Sequence, residues 1–377
     1  MSRQETKDEI QDTRREIEFR GITFSGYKKE HVKKEFMTSL LQSQMEPAFY
    51  WSVELICAGH FIDLWDILLH FFSRHVHLGN PKLSLYLDMR AQQFKSVVVS
   101  HLREGNPDTL SLRNEPNIRR LFAEIICLLC ESKQKHGFDE IKIKSQEEFN
   151  LIRLSEKLQA THDRFASSLL DGNPDIQDPQ ELFIPINELA FHVSPQSKNG
   201  LQACYWMEWI MEYVKVNKHL SHACIPRSFT QIETSKQKEA VWLIWDILIQ
   251  TAKRHHTPLV VKFCESLFSL YTLKYGTQHS QFKKRKFLMY FVVSLLTEPT
   301  PIHPQQPHEL VTDKERIGFF INQSTLIYRQ IKKNEKNDSL HSGNSGVHSK
   351  ELTQKEKNLR TSLAKIEILN QKFGKSI

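Results

Sequence analysis

Apolar residues return every third or fourth position along most of this chain. Nowhere do they alternate long enough to mark a strand, so the pattern predicts an all-α fold. Val32, Phe36, Leu40 and Leu41 place a first helix at about 27–41, with Lys28, Lys29, Lys33 and Lys34 on its surface. Glu46-Pro47 restarts the chain, because proline suits the first helical position. Phe49, Trp51, Val53, Leu55 and Ile56 make the next helix apolar nearly all round, which implies burial. After Ala58-Gly59-His60, a stripe of Phe61, Leu64, Trp65, Leu68, Leu69 and Phe72 predicts a helix over 61–76. Gly79-Asn80-Pro81 is a stop followed by a start, and helices are expected over 82–102, 118–130 and, unbroken, 145–170. Past the turn-formers of 171–179, the spacing predicts helices at 201–214, 236–256, 258–275, 282–296 and 313–333. Residues 1–26 read as a polar, loosely docked arm. The Asn/Ser/Gly/Lys-rich stretch 334–349 reads as disordered, and 349–373 as a polar helix with a thin apolar stripe.

One phrase in this pattern occurs twice. Residues 64–75 and 244–255 share six of twelve positions at an offset of 180: Trp65/Trp245, Asp66/Asp246, Ile67/Ile247, Leu68/Leu248, Arg74/Arg254 and His75/His255. Upstream of them stand Tyr50-Trp51 and Tyr205-Trp206, and downstream Pro81 and Pro258. A repeat of this kind marks a duplicated helical unit. The predicted organisation is an arm (1–26), unit one (27–170), a linker (171–180), unit two (181–333) and a C-terminal tail (334–377). Fifteen residues separate Trp51 from Asp66 but forty separate Trp206 from Asp246, so unit two carries an insertion at 215–238. Function is expected where the copies differ.

Composition changes this picture little. Forty per cent hydrophobic and 25% charged residues are ordinary for a soluble protein, and only 13 glycines favour helix. The six cysteines sit mostly in apolar runs, as in a reduced intracellular protein of the cytoplasm or nucleus. The charged N-terminus predicts no secretory signal, and the longest apolar run, 287–296, is too short to cross a membrane. A formal charge of +7 permits a polyanionic partner without demanding one.

Candidate chemistry is sparse. Lys283-Lys284-Arg285-Lys286 opposes the dipole of the helix it opens, so phosphate binding or nuclear import would account for it, as would a plain solvated turn. Lys28, Lys29, Lys33 and Lys34 form a second basic patch. The tryptophan groups 51/65, 206/209 and 242/245 suit base stacking or core packing. Asp66 and Asp246, each beside a tryptophan on an apolar face, need partners; Arg74 and Arg254 lie two turns away, so those partners are expected on other helices. Cys127-x-x-Cys130 with His136, and His219, His222 and Cys224, have ligand chemistry but also read as core helix and polar loop. Phosphate-loop, Rossmann, nucleophile-elbow, kinase and His-Glu-x-x-His patterns are missing. No catalytic residue, metal, cofactor or small-molecule substrate is therefore expected.

Ser39 to Gln42, Glu46, Ala48, Tyr50, Trp51, Ala58, Gly59 and then His77 to Pro81 resemble the helical C-terminal, collar-like region of clamp-loader-type AAA+ ATPases of the RarA/MgsA family. The resemblance covers about fifty residues. In that family the region follows the ATPase core and mediates oligomerisation at replication forks. This chain lacks the core's phosphate loop and Asp-Glu box, so ATPase activity does not carry over. The chain as a whole also resembles proteins of large eukaryotic DNA viruses. Together these imply a non-enzymatic scaffold or accessory factor of DNA replication or repair. It would act by self-association or docking of a protein partner, with DNA contact as a secondary expectation. A virion or host-interaction protein with no nucleic-acid role is the alternative.

Overall fold

The computed structural model describes residues 9–103, 109–143, 146–150, 154–170, 178–218, 223–227, 229–273, 278–299, 310 and 313–336. Among them are twelve α-helices and no β-strand, so the all-α reading holds. They are α1 (Lys29–Leu41), α2 (Met45–Cys57), α3 (Phe61–Phe71), α4 (Leu83–Arg103), α5 (Pro116–Glu131), α6 (Phe165–Leu169), α7 (Gln180–Val193), α8 (Gly200–Val216), α9 (Ala240–His255), α10 (Pro258–Tyr271), α11 (Gln278–Thr297) and α12 (Lys314–Lys332). No helix among the described residues is long and apolar enough to cross a membrane.

Contacts gather Met1–Lys336 into one compact unit and Asn337–Ile377 into another, and the second lies outside the described residues, as does the predicted tail helix. Both copies of the repeat thus share one packed body. The centre of that body is α11, whose residues 287–293 and 295–296 are all buried. An apolar run of that kind has no solvent face and must be covered on every side. The two repeated helices, α3 and α9, both pack against it, as do α8 and α10. Helix order runs in parallel in the two halves, since the hairpins α1–α2 and α7–α8 precede α3 and α9. The neighbours differ, however: α10 lies along α4 as well as α9.

The helix predicted at 61–76 changes pitch part-way. After Phe71 comes a π-helical turn, Phe72–Val76, then a short 3-10 turn, His77–Gly79. An extended strap after α5 crosses this irregularity. Lys135 N–H donates to His75 O at 2.8 Å and Gly137 N–H to Arg74 O at 2.9 Å. His77 holds φ +48°, costly for a side-chain-bearing residue, and its buried ring lies 4.4 Å from that of Phe291. Glycine at 137 lets the strap pass close, because a Cβ there would come within 2.9 Å of the His77 ring and force it to shift.

Two expectations are corrected. The unbroken helix over 145–170 is interrupted: Gln159 and Ala160 N–H donate to the Glu188 carboxylate, and Phe165 and Ala166 N–H donate to Asn187 Oδ1. Side chains of α7 thereby replace the helix's own acceptors. The N-terminal arm, over its described residues from 9 on, is firmly docked rather than loose. Ile10 exchanges two hydrogen bonds with Asn114, and Arg14 lies between the rings of Phe19 and Phe24 at 4.7 and 4.8 Å.

Glu239, at the N-cap of α9, makes a pH test of this packing. Burial pushes its carboxyl up to about 7 from an ordinary 4.5, against the opposing charge of Lys236. A raised carboxyl pKa means the folded state holds the proton more tightly. Its contribution is full below 4.5 and is lost as pH rises through about 7. Glu239→Gln should therefore melt higher than wild type at alkaline pH and match it near the ordinary carboxyl value. Equal melting temperatures across that range would refute the assignment.

Candidate nucleic-acid interface

The two basic patches have different fates. Of the tetrad, which lies in the second and third turns of α11, Lys283 and Lys284 are exposed; Arg285 is 3% and Lys286 7% exposed. Arg285 donates to the carbonyls of Leu270, Tyr271 and Leu273, past the end of α10, and lies 3.4 Å from Asp66. Lys284 meets Asp66 at 2.8 Å. Lys286 meets Glu208 at 2.9 Å and Glu140 at 2.8 Å, and Tyr290 donates to Glu208 at 2.7 Å. Burial pushes the Glu208 carboxyl up, and Lys286 and Tyr290 only partly restore it. Arg285 and Lys286 are thus internal, which corrects their reading as phosphate ligands. The dipole conflict expected from the sequence also falls away, because α11 begins at Gln278, more than a turn before the tetrad, and carboxylates of α3, α8 and the strap meet the basic side chains.

The patch on α1 is split. Lys29 and Lys33 lie 3.1 and 3.2 Å from Asp63, and Lys33 also bonds Glu30. Burial alone would raise the Asp63 carboxyl, but these lysines hold it below the usual range. Lys28 and Lys34 are exposed and hold no ion pair among the described residues. Around them stands an aromatic group. Trp51 of α2 is half-buried and meets Tyr27, His31 and Tyr50 edge-on, at ring distances of 5.6, 5.9 and 5.0 Å. Tyr27 is 40% exposed. His31 and Lys34 are three residues apart on one helix face, so they stand together there.

Glu54 builds this corner. Fully buried on α2, it accepts from Thr23 Oγ1 at 2.8 Å, Ser25 N–H at 3.0 Å and Ser25 Oγ at 2.5 Å. Thr23 N–H donates to Tyr27 O, and Lys29 N–H to Gly21 O. Gly26, at φ +86°, allows the tight turn between them. Tyr27 and Lys28 are therefore held by a fixed loop. Burial, with Tyr27 and Glu54 nearby, raises the Tyr50 phenol.

The remaining repeat residues are structural. Trp65, Trp206, Trp242 and Trp245 are fully buried and Trp209 nearly so, which leaves Trp51 as the tryptophan reachable from solvent. Asp66 finds its cations on α11, as above. Asp246 finds Arg227 at 3.1 Å, itself bonded to Asp178 at 2.8 Å, so the insertion supplies this partner. Arg74 lies over the Phe287 ring at 4.8 Å and 3.6 Å from Asp139, while Arg254 is exposed. Tyr205 donates to Glu148.

Among the described residues, Cys127 and Cys130 gather no metal-ligand group. Cys127 and Cys130 are buried in α5 with thiols raised by burial, and His136 points to His75 instead. Cys224 is buried, and His219 and His222 lie outside the described residues.

The sequence reading passed over α7 altogether, although Leu182, Ile186, Leu189, Ala190 and Val193 carry its helical spacing. It also missed Glu188, His192 and Ser197. His192 Nδ1 lies 3.1 Å from Ser197 Oγ, and its Nε2 lies 3.3 Å from Glu188 without hydrogen-bond alignment. This has the outline of an acyl-transfer triad. However, Ser197 and Lys198 N–H donate to Ser194 O, and Asn199 N–H to His192 O, so these turn amides are not free to hold an oxyanion. The group ties the turn after α7 to that helix and, through Glu188, to the backbone at 159–160. No family model, no curated protein and no solved structure matches this chain.

Proposed function

We propose that the chain is a non-enzymatic helical scaffold of DNA replication or repair that contacts single-stranded nucleic acid through the Tyr27–Trp51 corner. The observation that carries this reading is the placement of exposed Lys28 and Lys34 beside solvent-reachable aromatic rings on a fixed loop. Lysines attract the phosphates without sequence preference, and aromatic rings stack on bases, which only a single strand offers freely. The duplicated helices supply the frame, and the resemblance of residues 39–81 to a replication collar agrees with it.

Fluorescence anisotropy with labelled oligo-dT and with duplex DNA tests the reading. Binding should favour oligo-dT and weaken as salt rises. Lys28→Glu with Lys34→Glu should abolish it, and Trp51→Ala should cost about 1–3 kcal/mol of binding. Absence of salt-sensitive binding to either DNA at low ionic strength would refute it.

A further inference from the structure

His75 and His136 face each other at the crossing of the strap and the π-helical turn. Their Nδ1 atoms lie 3.0 Å apart, and their rings stand at 86°. Side-chain freedom does not set this arrangement. The backbone amides on both sides of His136, those of Lys135 and Gly137, bond the carbonyls of His75 and Arg74. The His75 ring lies against Phe71 at 5.7 Å. Nearby charges are already partnered: Arg74 turns to Phe287 and Asp139, and Lys135 meets Glu298 at 2.9 Å. His136 is exposed and His75 half-buried, so an ion can reach them from solvent.

Neutral imidazoles are good ligands for late transition metals. Nitrogens about 2.0–2.1 Å from one ion stand about 2.9 Å apart at a right angle and about 3.3 Å apart at the tetrahedral angle. The separation in the structure is 3.0 Å, close to the right-angle value. We propose that His75 and His136 form a two-histidine site for a divalent transition-metal ion that takes nitrogen donors at right angles, of the Cu²⁺ and Ni²⁺ class. No group of three or more His, Cys, Asp or Glu among the described residues could hold an ion, so water fills the remaining positions. The bound ion ties the strap to the π-helical turn.

Titration calorimetry of the full chain with Ni²⁺ alone tests this, alongside His75→Ala, His136→Ala and, as control, His255→Ala, the repeat counterpart of His75. Wild type and His255→Ala should bind one equivalent and melt higher with Ni²⁺; His75→Ala and His136→Ala should lose both effects. His136 is exposed on the strap, so that variant decides the matter even if His75→Ala does not fold. Identical isotherms for wild type and His136→Ala would place the binding on other histidines and overturn the site. No binding by wild type would leave the pair as a simple hydrogen bond and overturn it equally.

Discussion

Replacing Arg285 with alanine is expected to lower folding stability by about 3–5 kcal/mol, the usual loss when one partner of a buried charge group is removed. The guanidinium serves two purposes at once. It donates to the carbonyls of Leu270 and Tyr271 at the end of α10, at 3.3 and 2.9 Å. It also lies beside Asp66, the repeated aspartate of α3. Alanine removes these charge-assisted donors and leaves Lys284 as the one cation beside Asp66 among the described residues. Lysine should rescue little, because a single ammonium cannot span the carbonyls that the planar guanidinium fork reaches. Urea unfolding followed by circular dichroism reads the effect. A wild-type midpoint in Arg285→Ala, with loss of DNA binding, would show that the residue serves a ligand rather than the fold.

Trp245→Ala is expected to cost a similar amount, about 3–5 kcal/mol, because it empties a buried site between α9 and α10. The indole packs against Phe268 and Tyr271 at ring distances of 5.1 and 5.2 Å. Phenylalanine distinguishes two tryptophans of the same helix. Among the described residues the Trp245 N–H has no hydrogen-bond partner, whereas the Trp242 N–H donates to Lys236 O at 2.9 Å. Trp245→Phe sheds an unsatisfied donor along with some volume, while Trp242→Phe loses a hydrogen bond to Lys236 O. Trp245→Phe should therefore be the milder of the two, and the reverse order in urea midpoints would contradict the packing described. Trp51→Ala, at a half-exposed position, should affect binding far more than unfolding.

The spacing of apolar residues located most helices to within a few residues, because those helices bury one continuous stripe. It failed where side chains of another segment capture the backbone. Nothing in residues 145–170 announces that Glu188 and Asn187 will take its amide protons. The change of pitch at Phe72 was equally hidden, since the strap that bonds it lies about sixty residues onward. The buried state of Arg285 and Lys286 could not be read from a basic tetrad, which looks the same whether its carboxylates are water-exposed or internal. The expectation that Asp66 and Asp246 find partners on other helices holds for Asp66, which meets α11, whereas Asp246 meets Arg227 on a loop of the insertion. A carboxylate on an apolar face needs a partner, and the same-helix arginine was too far. The Tyr27–Trp51 corner was half legible: its lysines and tryptophan were singled out separately, but their meeting depends on Glu54 folding the 22–28 loop.

The central position of α11 has a consequence for synthesis. Because α3 and α9 both rest on a helix that begins at residue 278, the first three-quarters of the chain leaves the ribosome before its keystone exists. Contacts between such distant segments form slowly and leave apolar surface open meanwhile. Nascent chains stalled before α11 should stay protease-sensitive and recruit chaperones. Those stalled after the whole of Met1–Lys336 has emerged should become resistant in a single step.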